Sequence, residues 1–159
     1  MRSKTARQPG STFKLFVYLA ALRAGYTPDS MVEDKPIVID GWSPKNSDGV
    51  YRGTITLREA FLRSSNAATV RLSETVGRRN VIRAARDLGI SAPLSDTPSL
   101  ALGTSTVSLL ELTQAYAALA SGNYPIRAHG LTPKAEKEAG IADWLNADRR
   151  FDTQRDWAP

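Results

Sequence analysis

The chain has 159 residues, of which 42% are hydrophobic and 23% charged, with a formal net charge of +5 at pH 7. That length holds one core and is too short for two ordinary domains, and no apolar run reaches the roughly 20 residues that span a bilayer. The absence of cysteine excludes disulfides, thiolate metal sites and cysteine nucleophiles, and a single histidine, His129, argues against both a histidine-based triad and a transition-metal cluster.

Taken in order, the first element is announced by Pro9 and Gly10, which break whatever precedes them, and by the apolar-periodic run Leu15, Phe16, Tyr18, Leu19 and Leu22. The pattern predicts a helix over 12–24, ended at Gly25. Ser11 stands where a capping serine stands, and Lys14, three residues on, shares its face. Two readings follow. One is a cap followed by a solvent-facing lysine. The other is a hydroxyl made nucleophilic by a lysine amine that burial keeps neutral, helped by the positive end of the helix dipole.

A turn over 26–30 leads to the β-branched run 35–40, which reads as a short strand or extended segment between Pro36 and Gly41. The turn formers of 42–49 predict a long ordered surface loop, with Val50 and Tyr51 extended after it and Lys45 solvated. Thr56-Leu57-Arg58-Glu59 is a capping box opening a helix to about Arg63. Ser64-Ser65-Asn66 interrupts it, and a second helix runs over 67–76 to Gly77, with Asn66 able to serve as a simple cap. A third spans 78–88, with Val81, Ile82, Ala85 and Leu88 on one face and Gly89 at its end. Pro93 and Pro98 make 91–99 a loop. Ser108 to Glu111 is a second capping box, starting a helix to about Ala120 with Leu109, Leu112, Tyr116 and Leu119 facing inward. From His129 the composition turns charged. Thr132 and Pro133 open a modest helix to about Asn146, whose apolar face is Ile141, Trp144 and Leu145, and the polar end over 148–159 frays. No internal repeat is visible. Arginine and lysine are scattered, paired only at Arg78-Arg79 and Arg149-Arg150, so the charge reads as a solvated basic surface without a nucleic-acid partner.

Three stretches together resemble the penicillin-binding protein transpeptidase domain, of the class that also carries a glycosyltransferase. They are RQPGSTFK at 7–14, SSNAATVRL at 64–72 and PSLALGTSTVSLLELTQAYAALASG at 98–122; WSPKN and TITLREAF fit the same pattern. The resemblance covers about 7–126 and implies a mainly α chain with a few short strands, the helical lobe of the penicillin-binding transpeptidase and serine β-lactamase-like fold. Most of the sheet is missing on this reading, which makes 1–127 a partial domain and 128–159 a divergent, partly helical tail. Ser11 is then the acylated nucleophile and Lys14 the base. Ser64 relays protons to the leaving amine, and Asn66 hydrogen-bonds Lys14 and the substrate amide. The implied reaction is acyl transfer from the D-Ala-D-Ala end of a peptidoglycan stem peptide to a neighbouring stem amine, with a β-lactam able to acylate the same serine and no metal or organic cofactor.

The Lys-Thr-Gly motif that completes such a site occurs nowhere in the chain, Lys137-Glu138-Ala139-Gly140 having the wrong spacing. The resemblance therefore implies a fragment impaired in turnover, perched between two alternatives. It either keeps its acylation machinery or serves as a non-catalytic helical interaction module, self-associating through apolar surface that the missing sheet left bare. The family implies the bacterial inner membrane and periplasm, whereas the chain as written has no signal peptide or anchor and is expected to stay where it is made.

Overall fold

The computed structural model describes residues 6–122. His129, Trp144, the helix expected over 132–146, the tail and the expected boundary at 127/128 lie outside these residues. Among the described residues the order is β1 (Ala6–Arg7), a 3₁₀ turn (Gly10–Phe13), α1 (Lys14–Arg23), β2 (Met31–Asp34), β3 (Gly53–Thr56), α2 (Leu57–Leu62), α3 (Asn66–Val76), α4 (Arg78–Asp87), a second 3₁₀ turn (Pro98–Leu102), β4 (Val107–Ser108) and α5 (Leu109–Ser121). The chain is thus mainly α with short strands, as the sequence implies.

The core forms around α1. Phe16, Val17 and Ala21 are fully buried and Tyr18, Leu19 and Ala20 nearly so, which makes α1 a core helix rather than an amphipathic one. It packs against α3 and α4, where Ala67, Ala68, Ala84 and Ala85 are small enough to let the backbones approach. Val81 and Ala85 of α4 and Leu88 at its C-cap are buried as the 3.6-residue period predicts, with Ile82 half-buried at the edge. Each large side chain so buried contributes about 1.5–3 kcal/mol. An apolar groove of about 290 Å³ stays open between α1, α2 and α5, lined by Leu15, Leu19, Leu22, Phe61, Leu62 and Leu119. None of the described helices is long and apolar enough to cross a membrane.

Four sequence expectations need correction. Of the short strand or extended segment expected over 35–40, the strand does not form there; it is β2, which alternates exposed Met31, buried Val32, exposed Glu33 and buried Asp34 and pairs antiparallel with β3 from Met31↔Thr56 to Asp34↔Gly53. A strand requires a partner edge. The 37–39 run has none beyond a single bridge from Ile39 to Trp42, and Val38 is 68% exposed. Chain entry also differs, because α1 is preceded by the 3₁₀ turn and Ser11 caps neither element. The first capping box is half made. Thr56 Oγ1 accepts from Glu59 N at 3.1 Å, but the Glu59 carboxylate turns to Arg63 Nε at 2.8 Å. Finally, α5 buries Ala115 and Ala118 and packs Leu112 and Leu119 against the core as expected, but it leaves Leu109 and Tyr116 76% and 39% exposed.

The second capping box is complete. Ser108 Oγ accepts from Glu111 N at 3.2 Å, and the Glu111 carboxylate accepts from Ser108 N at 3.3 Å and, in addition, from Ser91 N at 3.0 Å and from the Ser91 hydroxyl. Burial alone would raise the Glu111 pKa, but these bonds from Ser91 and Ser108 outweigh it and hold it at about 2 against an ordinary 4.5. The folded pKa is the lower one, so this stabilisation is fully present above pH 4.5 and disappears as pH falls toward 2. Glu111→Gln is expected to cost about 1 kcal/mol at pH 7 and to flatten the acid limb of the melting temperature between pH 5 and pH 2, read by circular dichroism.

Candidate active site

Ser11 lies on the 3₁₀ turn that leads into α1. In a 3₁₀ turn residues i and i+3 eclipse, which projects Ser11 and Lys14 to the same side. The turn is held from two directions: Gly10 N donates to Gly103 O at 3.3 Å, and the Tyr116 hydroxyl donates to Thr12 O at 2.8 Å. Tyr116, expected in the core, is instead a partly exposed clamp on this turn. Ser11 is exposed, and its hydroxyl makes no hydrogen bond to the described residues; a capping role would have consumed it. Beside it runs a cleft of about 440 Å³, whose lining includes Arg7, Pro9, Thr12, Val107 and Leu112.

Lys14 is 2% exposed, which dismisses the solvent-facing reading. Its Nζ donates to Ser64 O at 2.5 Å, to Ser64 Oγ at 2.9 Å and to Asn66 Oδ1 at 2.6 Å, groups 50 and 52 residues away in sequence. The structure therefore joins Lys14, Ser64 and Asn66 directly and sets Ser11 on the adjoining turn, without a hydrogen bond to Lys14. Burial lowers the Lys14 pKa from 10.5 to about 8. Near neutral pH the neutral, proton-accepting amine is therefore far better populated than in an unshifted lysine.

The three partners are not equivalent chemically. The Ser64 carbonyl and the Asn66 carboxamide oxygen can only accept, so a neutral amine keeps its two N–H bonds on them and turns its lone pair toward a hydroxyl. A hydroxyl proton is what such an amine can take; Ser64 Oγ stands 2.9 Å from it, and Ser11 lies three residues back along the turn that leads into α1.

Ser64 reaches Lys14 with both its carbonyl and its hydroxyl because it sits at φ 52°, in the left-handed region. That conformation is strained for a non-glycine residue and persists only where the surroundings over-determine it. Ser65 provides that determination as the N-cap of α3, its hydroxyl accepting from Ala68 N at 3.0 Å and donating to Asp34 Oδ1 at 2.7 Å. Asn66, which the sequence left open as a cap, is the first residue of α3, and its side chain is free to serve Lys14.

Sequence reasoning missed the layer beneath. Asp34 is fully buried and accepts from Ser65 Oγ, from Asn46 Nδ2 at 2.7 Å and from Arg52 N at 3.1 Å. Asn46 Oδ1 accepts from Asn66 N at 2.8 Å and Ala67 N at 3.1 Å, while the carbonyl of exposed Lys45 takes Asn66 Nδ2 at 2.7 Å. The signal available was an asparagine in the middle of a turn-rich loop, which a general surface-loop reading passes over. Among the described residues no group of three or more histidine, aspartate or glutamate side chains is placed to hold a metal.

Comparison with known proteins fits this geometry. The family model for the penicillin binding protein transpeptidase domain matches residues 2–129. Penicillin-binding protein 1A of Neisseria meningitidis is 42% identical over 131 residues, covering 77% of this chain and 16% of the relative, and that of Rickettsia prowazekii is 37% identical over 133 residues, covering 80% and 17%. The chain thus spans about a sixth of the length of the curated relatives it matches. Among solved structures, penicillin-binding protein 1A from Haemophilus influenzae aligns with a TM-score of 0.73 at 32% identity, over 78% of this chain and 19% of that one. PonA1 from Mycobacterium tuberculosis, solved in complex with penicillin V, aligns with a TM-score of 0.72 at 30% identity, over 76% and 37%. The likeness is to part of a larger fold in each case.

Proposed function

The chain belongs to the penicillin-binding protein transpeptidase family, and from that premise we propose that it carries the acylation half of a serine D,D-transpeptidase site. Neutral Lys14 takes the Ser11 hydroxyl proton as Oγ attacks the carbonyl of the D-Ala-D-Ala bond of a peptidoglycan stem peptide. The ester forms, the peptide C–N bond breaks, and the proton passes through the Ser64 hydroxyl to the departing D-Ala amine. A neighbouring stem amine then attacks the ester and frees Ser11. Asn66 holds the Lys14 amine and offers its carboxamide to the substrate amide. A β-lactam takes the place of the stem peptide and leaves its acyl group on Ser11. The stem peptide lies on the periplasmic side of the inner membrane, which is where this chemistry belongs.

The observation that carries this reading is the Lys14 amine on Ser64 and Asn66, one turn from an unengaged serine hydroxyl. No Lys-Thr-Gly occurs among the 159 residues, and the proposal is accordingly confined to acylation of Ser11 by the Lys14, Ser64 and Asn66 set.

The test is incubation with a fluorescent penicillin followed by peptide mapping. Label is expected on the peptide containing Ser11 and is expected to vanish in Ser11→Ala. Label on another residue, or none after prolonged incubation, overturns the proposal.

A further inference from the structure

We infer that Asn46, gripped by the buried carboxylate of Asp34, is a positioning residue that dictates which way the Asn66 carboxamide faces and thereby keeps the Lys14 amine on its acceptors and out of water. This rests on the reading of Lys14 as the base.

The orientations of these carboxamides are forced one by the next. A carboxamide can face either way, and only its neighbours decide. Asp34, buried and acceptor-only, obliges Asn46 to present Nδ2, a choice reinforced by Val50 O at 2.8 Å. Asn46 Oδ1 is thereby turned to the start of α3, where it takes the N–H groups of Asn66 and Ala67, two of the donors a helix N-terminus leaves without partners. Fixing residue 46 fixes the carbonyl of residue 45, and that carbonyl takes Asn66 Nδ2. Asn66 is then left with one orientation, Oδ1 toward Lys14 Nζ at 2.6 Å. Apart from the exposed bond to Lys45 O, each step is a buried or half-buried hydrogen bond, and reversing a carboxamide would set donor against donor on one side and acceptor against acceptor on the other. The chain of choices runs from β2 through the 42–49 loop to the amine, and neither Asp34 nor Asn46 touches Lys14 itself.

A residue that merely braces the loop against α3 would also matter for stability, so the test reads the amine directly. Lysine Cε chemical shifts followed by NMR against pH give the Lys14 midpoint in the wild-type chain, in Asn46→Ala, in Asp34→Asn and in Val81→Ala, a core truncation in α4 of a side chain that takes no part in these hydrogen bonds. Asn46→Ala is expected to raise the midpoint by about one pH unit or more toward the ordinary value as water reaches the amine. Asp34→Asn is expected to shift it less, since an amide at 34 leaves one donor–donor contact whichever way it faces, either with Asn46 Nδ2 or with Arg52 N. Val81→Ala is expected to lower the melting temperature and leave the midpoint where it was. Asn46→Ala and Asp34→Asn titrating like Val81→Ala would overturn the inference, and should Asn46→Ala fail to fold, Asp34→Asn decides. Penicillin labelling of the same samples separates the two proposals. A wild-type chain that takes no label at Ser11, yet whose Lys14 midpoint responds to Asn46→Ala, refutes acyl transfer and retains the positioning role.

Discussion

Replacing Lys14 by methionine is expected to reduce the rate of penicillin labelling at Ser11 by roughly 10²–10⁴, the range general-base catalysis contributes, while leaving the fold in place. Methionine matches the length and volume of the lysine stem, so the site between α1 and the start of α3 stays filled. Three oxygens, Ser64 O, Ser64 Oγ and Asn66 Oδ1, lose their donor, and the two that can only accept, Ser64 O and Asn66 Oδ1, cost about 1–3 kcal/mol each if no water replaces it. Against this, the folded state no longer has to bury an ammonium at neutral pH, and the two effects oppose each other. The pH dependence separates chemistry from stability. In the wild-type chain labelling should climb as pH rises through about 8, because the folded amine loses its proton there and becomes a base. Stability should climb as well, between about 8 and 10.5: in that window the unfolded chain still holds the proton that the folded chain has released, so the unfolded state binds more protons and stability rises with pH. Lys14→Met has neither climb. Equal labelling rates in the two proteins across pH 6 to 10 would remove Lys14 from the mechanism.

How far the site could be read in advance depended on the range of the interactions involved. Ser11 with Lys14, and Ser64 with Asn66, are visible as short spacings because each pair sits within one turn of local backbone. The second capping box is visible for the same reason, as Ser108 and Glu111 satisfy each other three residues apart. Asp34 was invisible. A carboxylate in an exposed-looking MVED stretch becomes the most buried charge of the site only because Asn46, Arg52 and Ser65 arrive from 12, 18 and 31 residues away. Tyr116 misled in the opposite sense. Its bulk suggested the core, yet its hydroxyl bonds a backbone carbonyl 104 residues back, and that polar end draws it to the surface. The 37–39 run failed because β-branched residues mark a strand only where another strand offers an edge. Local capping and helical period therefore gave the helices, while the hydrogen-bonded support of the site is a property of tertiary closure.

That closure has its tightest point where the two 3₁₀ turns meet. Gly103 adopts φ 72°, and a Cβ there would stand 2.3 Å from Gly10 O and 2.7 Å from Gly10 N, distances at which backbone must move. The residue next to Gly10 is Ser11, so the contact that glycine permits also sets the height of the proposed nucleophile. Gly103→Ala is expected to destabilise the fold by about 2–6 kcal/mol, the left-handed backbone and the overpacking each costing about 1–3 kcal/mol. Molecules that remain folded should still label poorly, since relief of the clash requires the Gly10–Phe13 turn to move and Ser11 to move with it. The comparison that isolates this effect is Gly122→Ala. Gly122 also has a positive φ, 69°, but its Cβ would meet nothing within 4 Å, so it carries the backbone strain without the collision. Thermal melting should show a small loss for Gly122→Ala and a much larger one for Gly103→Ala. Labelling of the folded fraction, measured well below each melting temperature, should be near wild-type for the former and reduced at least tenfold for the latter. A Gly103→Ala protein that melts and labels like Gly122→Ala would show that the two turns can separate without disturbing Ser11.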